Sequence, residues 1–203
     1  MQNIDETCVR FARGLFDSRP LPSNNGYTWT LTSRIGSMLQ EAEELFGERD
    51  KAWTILGVEI CVGGEAPQNW YPGERWRKNI IFQLVSPAEK DIVNAHYQLA
   101  HEVVHALSPE IDSVANVLEE GLATWFARYY VREHFKVDVH EGLESYRMAR
   151  ERAECLLAVD RASIKKLRSI EPCFKKMGQV TFEKAGLLFD AELVEKLTAK
   201  FVR

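Results

Sequence analysis

Apolar residues at Ile92, Val93, Leu99, Ala100, Val103, Val104 and Leu107 recur at helical spacing and predict an amphipathic helix. Ser86 as N-cap and Pro87 at the first helical position suit its start, and Ser108-Pro109 its end near Leu107. A second helix is read from Val114 to about Tyr130, with Val117, Leu118, Leu122, Trp125, Phe126 and Tyr129 three and four residues apart. Upstream, residues 4–16 form a short amphipathic pattern and Pro20 to Gly26 a loop. Thr32 or Ser33 can cap a helix that reaches Phe46, where Gly47 stops it. Two β-rich runs, Trp53 to Val62 and Asn79 to Val85, flank a loop bearing Trp70, Tyr71, Pro72 and Trp76. Helical spacing returns at Glu141 to Asp160, Ala162 to Ser169 and Asp190 to Val202. An α+β chain follows, with a small N-terminal sheet and a mainly helical second half.

Composition narrows the class. At 203 residues the chain can bury one substantial core, and a single domain spanning 1–203 is expected. A net charge of −4 and a pI near 5.8 argue against a nucleic-acid partner. The basic runs Arg75-Trp-Arg-Lys78 and Lys165-Lys-Leu-Arg168 are expected to be solvated surface. The cysteines at 8, 61, 155 and 173 are scattered, with no C-x-x-C pair, as in a reduced intracellular protein. The N-terminus lacks a hydrophobic leader, and no apolar segment is long enough to span a membrane, so a cytoplasmic location is expected.

The chemistry lies in His101-Glu102-Val-Val-His105, inside the first of those helices. At about 100° per residue, the two histidines project from nearly the same side one turn apart, so both imidazoles can reach one ion. Neutral imidazole is a zinc ligand, and a catalytic zinc keeps an exchangeable water beside its protein ligands. Glu102 is then placed to take that water's proton as general base and return it to a leaving amine. His96, five positions before His101, is turned off this face and is read as a non-ligand. A third ligand is needed, and Glu119 and Glu120 on the next helix cannot both face the metal.

In Leu118-Glu-Glu-Gly-Leu-Ala the chain resembles the gluzincin metallopeptidases, whose second active-site helix carries a ligand glutamate just before a glycine. The resemblance covers about Ser86 to Arg132. It implies a zincin-like fold, with an upper lobe over 1–110 holding the strands and the metal helix, and a helical lower lobe over 111–203. It also implies one Zn²⁺ held by His101, His105 and Glu120, and a peptide or protein substrate. Glu119 is then expected to be a solvated charge, and Gly121 to let the two metal-site helices pack closely. Thr124, one turn after Glu120, is a candidate to orient that ligand. Gluzincins also place a tyrosine or histidine donor beyond the third ligand, for which Tyr146 is the first candidate, ahead of Tyr129, Tyr130, His134 and His140. In zincins the strand nearest the metal helix receives substrate, and Asn79 to Val85 is the candidate by position. One rival site is weighed: peptide deformylases also use His-Glu-x-x-His, with an upstream cysteine, and Cys61 is the matching position. Another alternative is a zinc-binding scaffold without hydrolysis.

Overall fold

The computed structural model describes residues 31–203 apart from Val62, Pro87 and Asp112, so the expected helix at 4–16, the loop at 20–26 and Cys8 lie outside the described residues. Within them the chain is a mixed α+β structure, mostly helical, with seven α-helices and one three-stranded sheet.

Helix α1 (Leu31–Phe46) buries Leu31, Ile35, Met38, Leu39, Ala42 and Phe46, a stripe at intervals of three and four. Its chain stops at Gly47, whose φ of 95° suits a left-handed helix cap and whose N–H bonds the Glu43 carbonyl. Strand β1 (Thr54–Cys61) is followed by β2 (Gln68–Trp70) and β3 (Asn79–Val85). Ile80, Phe82 and Leu84 alternate into the core from β3, the two-residue period of a strand with one buried face. β1 pairs with β3 in parallel and β2 pairs with β3 antiparallel, giving the order β1-β3-β2.

Two expectations change here. Asn79–Val85 is the central strand, hydrogen-bonded on both sides, so it has no free edge for a substrate. Among the described residues the edges are β1 and β2, and β2 lies in the segment expected to be only a loop. Three residues without strict alternation carry too weak a pattern to be read as a strand.

Helix α2 (Ile92–His105) begins later than Ser86-Pro87 suggest. Asp91 is its N-cap, accepting from the N–H groups of Val93 and Asn94, while the Ala88 N–H turns back to the Val85 carbonyl. Gln98 clamps α2 to the end of β3: its Oε1 accepts from the Val85 N–H at 2.8 Å and its Nε2 donates to the Val85 carbonyl at 3.1 Å. Helix α3 (Val117–Phe135) starts at the N-cap Asn116 and is apolar around most of its circumference, because it lies between α2 and α4 (Glu144–Val159). Helices α5 (Ser163–Ile170), α6 (Gln179–Lys184) and α7 (Ala191–Thr198) complete the chain. The expected helix ending at Val202 stops at Thr198, and α6 was not foreseen.

Arg168 corrects the reading of the Lys165-Lys-Leu-Arg168 run as solvated surface. It is 6% exposed, and its guanidinium donates to the carbonyls of Phe46, Gly47, Glu48, Leu107 and Pro172. Those carbonyls lie at the C-terminal ends of α1 and α2, where a cation is favoured, and the Leu107 carbonyl also accepts from the Asp50 N–H at 2.9 Å. Burial pushes its pKa down to about 10, and its face stacks on Phe174 at 5.1 Å. One side chain from the last third of the chain thus pins the helix that carries the motif.

Candidate metal centre

His101, Glu102 and His105 lie on α2, and each offers one ligand atom within 4.8 Å of the others. Glu120, in the first turn of α3, reaches both imidazoles: its Oε2 is 3.2 Å from His101 Nε2 and its Oε1 is 3.8 Å from His105 Nε2. Atoms sharing a tetrahedral zinc at about 2.0–2.1 Å stand about 3.4 Å apart, and these separations bracket that spacing. The buried Glu120 Oε2 makes no hydrogen bond despite its approach to His101. A carboxylate and two imidazoles converging at this spacing suit a common cation. Three carboxylates (Glu102, Glu119 and Glu120) against two imidazoles make the same case by charge.

Electrostatics without an ion follow from this crowding. Burial works against a charged His105, but the Glu120 carboxylate, followed by the hydrogen bond and charge of Glu119, outweighs it and raises the pKa to about 10. Burial would raise the Glu120 pKa, yet His105 and then His101 bring it down to about 2. Glu102, 4% exposed, has its pKa raised by burial against the opposing pull of the histidines.

Glu119 is not the solvated charge expected of it. It is 1% exposed and accepts a hydrogen bond from His105 Nδ1 at 2.8 Å. That bond puts the His105 proton on Nδ1 and leaves Nε2 to face the metal position, the arrangement that orients a ligand imidazole and raises its basicity. Adjacent glutamates point about 100° apart on a helix, so one can meet the metal side of His105 while the other meets its far nitrogen. Asn116 sets both, because its side chain caps the Glu119 N–H at 2.9 Å and donates to the Phe174 carbonyl at 2.7 Å.

Gly121 serves a different helix from the one expected. A Cβ there would lie 2.3 Å from the Ala149 carbonyl oxygen, so the glycine permits the close approach of α4, not of α2. The buried Thr124 hydroxyl has no hydrogen-bond partner and does not orient Glu120. Cys61 ends β1 opposite Val85 and does not line the cleft that holds the histidines, which removes it as a ligand. His96 is buried as expected of a non-ligand, its Nδ1 donating to the Ile92 carbonyl at 2.8 Å and its ring stacked on Tyr130.

The cleft measures about 790 Å³ and runs between β2 and the start of α4. Asn69 on β2 donates from Nδ2 to the Glu102 carbonyl at 3.1 Å, which fastens the edge strand to the motif helix. Tyr71 and Tyr97 line the wall, and burial holds the Tyr97 hydroxyl at about 12. Tyr146, in the first turn of α4, packs edge-on against His101 with ring centres 5.9 Å apart. Burial, then the Glu120 charge, raises its pKa, so the phenol keeps its proton at neutral pH. Arg203 also reaches this cleft, a residue the sequence did not single out. After α7 the chain runs back beside the entry to α3, with Val117 N–H bonding the Ala199 carbonyl and Phe201 N–H the Ala115 carbonyl. No local pattern around residue 203 could have announced that return.

Comparison of the chain with protein-family models, curated proteins and solved structures finds no match. Its own side chains therefore carry the functional reading.

Proposed function

We propose that this chain is a zinc-dependent hydrolase of peptide bonds on a compact zincin-like α+β core. His101, His105 and Glu120 hold the ion and Glu102 is the general base. The observation that carries the reading is the convergence of Glu120 on both imidazoles, with a second buried carboxylate, Glu102, beside them at the floor of an open cleft. Zinc bound by these residues would supply Lewis acidity for a water and a carbonyl oxygen.

The rest of the chemistry belongs to the protein. Glu102, with its pKa raised by burial, accepts a proton near neutral pH and passes it to the leaving nitrogen. Tyr146 stays protonated and donates to the oxygen on which charge develops. Glu119 holds the His105 ring in register. Strand β2, which among the described residues pairs only with β3 and borders the cleft, suits an extended peptide that pairs with it through the backbone.

Purified protein tests this directly. One zinc per chain and metal-dependent cleavage of a peptide library are expected, and Glu102→Gln should keep the zinc while losing about 10²–10⁴-fold in turnover. Full turnover in Glu102→Gln overturns the assignment. Stoichiometric zinc with no cleavage of any peptide would favour a binding protein instead. Among the described residues no helix is long and apolar enough to cross a membrane.

A further inference from the structure

Tyr146 does not stand alone in the cleft. Arg203 Nε donates to its hydroxyl oxygen at 2.9 Å, and this is the only hydrogen bond given to either side chain among the described residues. The direction of that bond matters: the guanidinium occupies a lone pair of the phenol oxygen and has no acceptor to offer its proton. The phenol O–H is thereby left to point at something else. Tyr146 is held on its other sides by rings, against Phe201 at 4.9 Å and against His101 at 5.9 Å. Phe201 and Arg203 belong to one segment, the chain after α7 that is fixed by its bonds to Ala115 and Val117. A single stretch thus supplies both the apolar support and the hydrogen bond that set the orientation of Tyr146.

We propose that Arg203 is a positioning residue that aims the Tyr146 hydroxyl at the reacting carbonyl oxygen of a bound peptide. The inference rests on the hydrolase reading above and adds to it the residue that orients the donor. A cation next to the phenol also strengthens it as a hydrogen-bond donor, because positive charge draws electron density from the oxygen. Arg203 itself does not need to touch substrate. Its effect passes through Tyr146, which predicts a particular pattern of non-additivity.

A double-mutant cycle tests that pattern. Tyr146→Phe should lower kcat by about 10²-fold, the scale for losing one oxyanion donor, with little change in KM. Arg203→Ala keeps the hydroxyl but not its orientation and should lower kcat by about tenfold; the double variant should be no worse than Tyr146→Phe alone. Losses that multiply in the double variant, or an Arg203→Ala effect confined to KM, would mean that Arg203 acts on substrate and not through Tyr146. A second readout needs no turnover. The Arg203 Nε–H resonance in ¹H–¹⁵N spectra should shift and exchange faster with water in Tyr146→Phe; an unchanged signal would remove the contact on which the proposal stands. Should the wild-type chain cleave no peptide, the hydrolase reading falls and takes the catalytic role of Arg203 with it, while the spectrum still decides whether the bond exists.

Discussion

Replacing Glu119 by Ala should weaken zinc binding without touching a metal ligand. The carboxylate is 1% exposed and its Oε1 sits 2.8 Å from His105 Nδ1, so the substitution removes the acceptor that fixes the ring's tautomer and rotation. The N-cap of α3 survives, because the Glu119 N–H that bonds Asn116 belongs to the backbone. Partners of this kind are worth about 10–100-fold in metal affinity, or about 1.4–2.7 kcal/mol. Glu119→Gln retains an acceptor oxygen but loses the charge, so it should fall between Ala and wild type. Competition against a chromophoric chelator at fixed pH gives the affinities, and circular dichroism of each metal-free variant controls for folding. Glu120→Ala provides the upper limit, since it removes the proposed third ligand and should abolish stoichiometric binding. Wild-type affinity in Glu119→Ala would refute the orienting role and leave the buried carboxylate without an explanation.

Two further outcomes are expected. Arg168→Met should cost about 3 kcal/mol or more in urea unfolding, because it strands the carbonyls of Phe46, Gly47 and Glu48 at the end of α1 and cuts the tie to Leu107 after α2; a loss below about 1 kcal/mol would show that the contacts are dispensable. The raised pKa of His105, from 6.5 to about 10, means that the metal-free chain holds a proton there at pH 7. That proton stabilises the metal-free fold fully below pH 6.5, and its contribution is lost as pH rises through about 10. Zinc must displace the proton, so affinity should climb with pH from 6.5 to 8.5 and calorimetry in buffers of different ionisation enthalpy should register its release; a pH-independent affinity would contradict this.

Periodicity was a good guide wherever one element answered to one environment. The helix that carries His101 and His105 was legible because seven apolar positions fall at helical spacing, and α1 because its stripe ends at a glycine. The start of α2 is not set locally: Ser86-Pro87 and Asp91 both suit a helix opening, and the choice between them belongs to β3, which extends to Val85 and is tied to α2 by Gln98. β2 went unseen because three residues carry no pattern, although they form the edge strand beside the cleft.

The residue types at 101, 102, 105, 119 and 120 were set out along the chain, and helical geometry alone says that the two histidines share a side. Which glutamate meets the metal position, and that the other is buried behind His105, depends on how α3 lies against α2. That placement comes from long-range contacts: Asn116 held by Phe174, the chain after α7 paired beside Ala115, and Gly121 admitting the backbone of α4. Arg168, buried against carbonyls at the ends of both α1 and α2, makes the same point from the far end of the sequence. A charge is surface by default, since burying it costs several kcal/mol, and that default fails only when acceptors from distant elements converge on it. Local spacing encodes the direction in which a side chain leaves its own helix, whereas the identity of what it meets is a property of the packed fold.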